Sequence, residues 1–155
     1  MVRWADLPDY EQGHMVHLAK DCVTLEPAPW VTGPPLAQRR VAIVTTAGLQ
    51  RRGDRPFTEG AGDFRIIPGD LDAADLVMSH ISVNFDRSGF QEDLNSVFPV
   101  ARLRELAADG VIGSVADYHY SFLGATKPSE METTARHLAG ILKGDAVDAV
   151  LLVHI

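Results

Sequence analysis

Apolar positions along this chain fall into short unbroken runs that alternate with longer runs of helical spacing. The segment "RVAIVTTAG", residues 40–48, is apolar and β-branched without polar alternation, the pattern of a strand covered on both faces, and Gly48 closes it. "DFRIIPG" and "ADLVMSHIS" are two further short runs, the first ended by Pro68 and Gly69. "FPVARLRELAADG" has the other period: Val100, Leu103, Leu106 and Ala107 share one helical face, Pro99 lies near the first turn, and Gly110 stops it. "SVADYHYSFLG" reads as a strand. "SEMETTARHLAGILKG" reads as a helix, with Ser129 and Glu132 spaced as a capping box and Ala135, Leu138, Ile141 and Leu142 as its buried stripe. "DAVLLVHI" is a last short strand.

Strands alternating with helices predict an α/β fold, a mostly parallel sheet with helices on both faces in a Rossmann-like three-layer sandwich. Residues 41–47, 75–80 and 148–154 are expected in one sheet, and helices over 99–109 and 130–143. Residues 1–40 differ. Leu7, Tyr10, His14 and Leu18 recur at helical spacing and predict a short helix. "EPAPWVTGPPLAQRR" has four prolines in fifteen residues and predicts an extended arm, pinned by Trp30 and Leu36. The organisation is therefore an N-terminal arm over 1–40 and an α/β domain over 41–155.

Composition narrows the function. With 155 residues, 46% of them hydrophobic and 23% charged, the chain is long enough to bury one core. A net charge of -7 argues against a nucleic-acid partner, and the basic run Arg51, Arg52, Arg55 is offset by Asp54, Glu59 and Asp63. No apolar run is long enough for a membrane helix, the N-terminus lacks the basic-then-apolar order of a signal peptide, and the expected location is cytoplasmic. The single cysteine, Cys22, has no internal disulfide partner, fits a reducing compartment and reads as an incidental thiol on the arm.

Ligands of open α/β sheets bind beyond the carboxyl ends of the strands. That rule selects Thr45, Thr46 and Gly48 after the first strand, Ser79 and His80 after the third, Tyr118, His119, Tyr120 and Ser121 around the fourth, and His154 on the last. Asn84 and Asp86 join the candidate pocket, against the alternative that they shape a turn. His80 and His119 are the candidate catalytic acid or base, because imidazole titrates near neutral pH. His80, His119 and His154 also permit a metal reading; with no cysteine or carboxylate at a ligand spacing, local hydrogen bonding of each histidine is favoured and no metal is assigned. The dinucleotide, P-loop and serine-hydrolase signatures are absent, and "EGAGDF" lies before a strand, where it reads as a turn. No cofactor is indicated.

The stretches "RRVAIVTTAGLQRRGDRPF", "DFRIIPGD", "ADLVMSHISVNFDRSGFQEDLNSVFPVARLRELAADGVIGSVADYHYSFLGA" and "DAVLLV" resemble the selenoprotein B family of glycine, sarcosine, betaine and D-proline reductases, in its short single-domain branch. The "SHISVNFDRSGFQEDLN" block, followed by "VFP" and "IGSVA", is the most specific part. The resemblance implies thiol- or selenol-dependent reduction of an amino-acid-like small molecule. It places the redox selenocysteine or cysteine immediately after the last strand, and adds a thiol reductant and a pyruvoyl-containing partner subunit. The chain ends about where that residue would begin, so the resemblance makes it a domain truncated after its last strand, with an unrecoded UGA codon as the favoured reason. Such a chain is expected to lack thiol-dependent turnover and to form a homo-oligomer through residues 148–155, where apolar surface would be left without cover. Enzymatic activity of the chain stays open. The alternative is a non-redox protein that binds a small molecule or metal in the same pocket, or an assembly subunit.

Overall fold

The computed structural model describes residues 3–20, 31–81 and 87–155. Trp30, Cys22, Asn84 and Asp86 lie outside the described residues. Contacts divide the chain into two units, Met1–Val31 and Thr32–Ile155. The first holds one helix, α1 (Asp9–Lys20), with Asp9 and Glu11 in its first turn and His17 and Lys20 in its last, the arrangement the helix dipole favours. The predicted helix is there, but its stripe is not a core face: Tyr10 is 74% exposed and no residue of α1 is buried.

The second unit is built on β1 (Arg40–Thr45), followed by β2 (Leu49–Arg51), β3 (Arg65–Pro68), β4 (Leu76–Met78), α2 (Ser88–Glu92), α3 (Val100–Ala108), β5 (Ser114–Val115), β6 (Tyr118–Ser121), α4 (Pro128–Gly144) and β7 (Ala149–Val153). β1 is the middle of the main sheet. It pairs in parallel with β7 from Val41↔Ala149 to Thr45↔Val153, and in parallel with both β5 and β6. β3 adds antiparallel to β6, from Arg65↔Ser121 to Pro68↔Tyr118. β3 and β7 are outer strands, as is the short β5, which pairs only with β1.

Helices cover both faces. Val41, Ile43, Ile67, Phe98 and Leu103 form one cluster, which brings α3 onto the sheet; Tyr120, Phe122 and Leu138 form the second, with Val44, Phe64, Met131, Ile141 and Leu142, and bring α4 onto the other side. Alternate residues of β1 point to opposite faces, so each cluster takes its own half of the strand. The expected three-layer α/β arrangement is present.

Several local expectations are corrected. Residues 75–80 are not in the main sheet: β4 pairs antiparallel with β2 in a separate two-stranded sheet. The cause is Gly48, whose φ of +66° turns the chain out of β1 and starts β2, a strand too short to show periodicity. A Cβ on Gly48 would stand 3.1 Å from the backbone nitrogen of His80, so the close approach of the two segments also requires glycine. The capping box does not form; α4 starts at Pro128 with Lys127 as N-cap and no side-chain cap, since proline is already set for the first helical position. Ala135 and Leu106 are exposed, with Met131 packing in the α4 stripe instead. Leu36 is 52% exposed and is not a core residue; residues 36–38 form one 3-10 turn.

Finally, "SVADYHYS" is not one strand. The register between this segment and β1 moves from Arg40↔Ser114 and Val41↔Val115 to Val44↔Tyr120 and Thr45↔Ser121, so Ala116 and Asp117 fall in a bulge.

Candidate functional site

The carboxyl ends of β1, β6 and β7 converge on Thr46. Its N–H donates to the Val153 carbonyl at 2.9 Å, and its own carbonyl accepts the Gly124 N–H at 2.8 Å. Its hydroxyl oxygen accepts the Ile155 N–H at 2.8 Å. One threonine thus ties the exit of β7 to the exit of β6. Gly124 completes the arrangement, because a Cβ there would stand 2.8 Å from the Ile155 carbonyl oxygen. Sequence reasoning selected Thr46 and missed Gly124, although a glycine between a strand and a helix was a usable signal.

Beside this point the polar side chains are largely committed to backbone. Thr45 is fully buried and its hydroxyl accepts the Ala47 N–H at 3.2 Å. The Ser121 hydroxyl, selected with the end of the same strand, accepts the Leu49 N–H at 2.8 Å. The Ser79 hydroxyl donates to Gln50 Oε1 at 2.8 Å and accepts the Phe57 N–H at 3.1 Å. These bonds hold the turn from β1 into β2 against β4. His80 follows Ser79, is buried, lies with its backbone against Gly48, and its carbonyl accepts from Arg87. Burial, with the Arg87 charge adding to it, lowers the His80 pKa below the ordinary histidine value, so the ring is neutral near pH 7.

Tyr118 and His119 lie elsewhere. They begin β6, and Pro68↔Tyr118 and Ile67↔His119 pair them with the end of β3, at the amino end of the parallel strands. The His119 ring fills the bulge between β5 and β6. Its Nδ1 accepts the Ile43 N–H at 3.0 Å, which places the proton on Nε2, and the edge of the ring pair with Phe98 has centroids 5.4 Å apart. His119 is fully buried, and its pKa falls to about 4 because burial disfavours the cation, with Arg104 adding to the effect and Asp117 opposing it. Tyr120 sits between the two ends, 1% exposed, with its hydroxyl 3.4 Å from Asp145 Oδ2. Burial and the Asp145 charge raise its pKa to about 12.

The sequence candidates therefore separate into Thr45, Thr46, Ser79 and His80 at the carboxyl end and Tyr118 and His119 at the amino end. His80, His119 and His154 are not brought together, and no group of three metal-ligating side chains occurs among the described residues. His154 is exposed beyond β7.

A cleft of about 480 Å³ opens at the amino end, lined by Gly69, Asp70, Arg104, Ala116, Asp117 and Tyr118 among others. None but Tyr118 was selected from the sequence, since the bulge that opens the cleft has no one-dimensional signature. Asp117 forms an ion pair there with Arg40 at 2.8 Å. Among the described residues, no helix is long and apolar enough to cross a membrane.

The chain is similar to known proteins. Residues 19–155 match the family described as glycine/sarcosine/betaine reductase selenoprotein B (GRDB). The D-proline reductase subunit gamma of Acetoanaerobium sticklandii is 36% identical over 134 residues, covering 79% of this chain and 54% of that protein. The glycine reductase complex component B subunit gamma of Symbiobacterium thermophilum is 33% identical over 126 residues, covering 76% of this chain and 28% of that protein. The betaine reductase complex component B subunit beta of Peptoclostridium acidaminophilum is 28% identical over 122 residues, with the same two shares, 76% and 28%. The matched region thus spans about half of the first relative and about a quarter of the other two. No solved structure matches the chain.

Proposed function

The chain belongs to the glycine/sarcosine/betaine reductase selenoprotein B family, and from that premise we propose that it is the α/β scaffold of a thiol- or selenol-dependent reductase acting on an amino-acid-like small molecule. The observation that carries this reading is the convergence on Thr46, which holds Ile155 at the carboxyl end of the parallel strands. The redox selenocysteine or cysteine belongs directly beyond that point. A selenol or thiol there reacts as its anion, and a second thiol closes the oxidised form for reduction by an external thiol system.

In this reading His80 moves a proton at the same end, since its ring is neutral near pH 7 and can accept one. His119 is assigned a holding role instead, as its Nδ1 is engaged by Ile43. The relatives are named as subunits of reductases, which supports assembly with other subunits; a pyruvoyl-containing subunit and a cytoplasmic location are part of the proposal.

Two measurements test the proposal. Mass spectrometry of the native polypeptide should find a selenocysteine or cysteine within a few residues of the β7 sequence. The native complex should reduce an amino acid in the presence of a dithiol, and lose that turnover when the redox residue is changed to serine. A native polypeptide without such a residue, or turnover that survives the change, overturns the reading.

A further inference from the structure

Among the described residues β7 pairs with β1 alone, which leaves its other edge open. It differs from the other outer strands in carrying nothing that blunts an edge. β3 begins with Arg65 and ends with Pro68, and β5 is two residues long, whereas Ala149–Val153 has no proline, glycine or charge. Val150 is 38%, Leu151 37% and Leu152 72% exposed, so apolar surface flanks the open edge. Leu151 lies on the face of Ala149 and Val153, which pack with the α3 cluster, and Val150 and Leu152 lie on the opposite face.

The backbone fixes how this edge can pair. The register from Val41↔Ala149 to Thr45↔Val153, with the Thr46 N–H on the Val153 carbonyl at 2.9 Å, turns the peptide groups of Ala149, Leu151 and Val153 toward β1. The N–H and C=O groups of Val150 and Leu152 therefore face the open edge. A second β7 running antiparallel satisfies these groups in both copies when Val150 of each stands opposite Leu152 of the other, about a two-fold axis at Leu151. The same register matches the side chains. Val150 meets Leu152 on one face, Leu151 meets its own copy on the other, and the exposed Asp148 stands opposite the exposed His154. A slip of two residues either way sets Leu152 opposite Asp148 or Val150 opposite His154, and loses that match.

We propose that β7 is the two-fold interface of a homodimer, in which two copies pair antiparallel along Ala149–Val153 with Val150 opposite Leu152 and join their main sheets into one. The carboxyl ends of the parallel strands, marked by Thr46, then point in opposite directions in the two copies. The contact uses no redox residue, so it stands or falls apart from the reading above.

Introduced thiols report the register. In the native polypeptide with Cys22→Ser as background, Leu151→Cys should give a disulfide-linked dimer under mild oxidation. Position 151 faces itself across a pair with Cα atoms about 4.5 Å apart, within disulfide range. Val150→Cys and Leu152→Cys should each link poorly alone and link well when mixed, with mass spectrometry of the linked peptides identifying the joined positions. Without oxidant, sedimentation should show the dimer dissociation constant raised by about threefold or more in His154→Glu, where carboxylates face Asp148, and not raised in His154→Lys. A monomer at every concentration, as follows if another segment or subunit covers the edge, overturns the proposal. So does equal linkage at 150 and 151, or an unchanged constant in His154→Glu.

Discussion

His119 supplies a side-chain nitrogen where a neighbouring strand would supply a backbone oxygen: its Nδ1 accepts the Ile43 N–H at 3.0 Å inside the bulge that separates β5 from β6. Ala116 donates to the Val41 carbonyl at 2.9 Å and Phe122 to that of Thr45 at 2.8 Å, so this edge of β1 is served by backbone above and below and by imidazole between. The bulge is thereby closed without an orphaned amide at the centre of the sheet.

That bond makes stability depend on pH. The folded pKa of His119, about 4, lies below the ordinary 6.5, so between those values the unfolded chain binds the extra proton. The contribution is full above pH 6.5 and declines as pH falls toward 4, by on the order of 3 kcal/mol in total. Arg104 acts with burial in this direction and Asp117 against it. Urea unfolding at a series of pH values should show the decline, and His119→Leu should flatten it while costing about 1–3 kcal/mol through the unpaired Ile43 N–H. A wild-type profile level from pH 7 to 4.5 would contradict the assignment.

The end of α4 stores strain that a single change should release. Ala146 has a φ of +54°, and its N–H and that of Val147 bond to the carbonyls of Lys143 and Leu142, a helix-terminating arrangement that α3 completes with Gly110 at φ +70°. Ala146→Gly is expected to raise stability by about 0.5–1 kcal/mol, the left-handed penalty being only partly offset by the freer unfolded chain. Thermal melts read this directly, and a lowered melting temperature counts against it.

At the carboxyl end, Thr46→Val removes the acceptor of the Ile155 N–H. Amide exchange at Ile155 should accelerate by roughly fivefold, the equivalent of one ordinary hydrogen bond, while Ile43 and Val44 exchange as before. Thr46→Ser should restore protection. Gly124→Ala should disturb the same amide through the Ile155 carbonyl; equal exchange in all three variants would show that Thr46 does not hold the chain there.

β7 is an edge strand in the main sheet, with Leu152 72% exposed beside Val150 and Leu151. Apolar side chains along a free strand edge favour pairing between copies. Light scattering should show concentration-dependent self-association, and Leu152→Glu should shift it to monomer. A wild-type monomer at every concentration rules this contact out.

Legibility followed the range of the interactions. β1 was readable because a strand buried between layers must be continuously apolar, and α3 and α4 because one face of each must meet the sheet; those demands are written residue by residue in "VAIVTT" and the Leu103 and Leu138 stripes, whereas "AVLLV" has the same apolar run on an edge strand whose central residues are exposed. The family was readable for the same reason, since its distinctive block is contiguous. What the sequence could not determine was set by segments meeting across the chain. Gly48 turning β2 onto β4, the antiparallel entry of β3, and the two-residue shift at Ala116 and Asp117 each depend on a partner more than twenty residues away. His119 was therefore expected with His80 beyond the strand ends, whereas the bulge turns its ring toward Ile43 and sets it next to Gly69 and Arg104, a grouping that exists only once β1, β3, α3 and β6 are packed together.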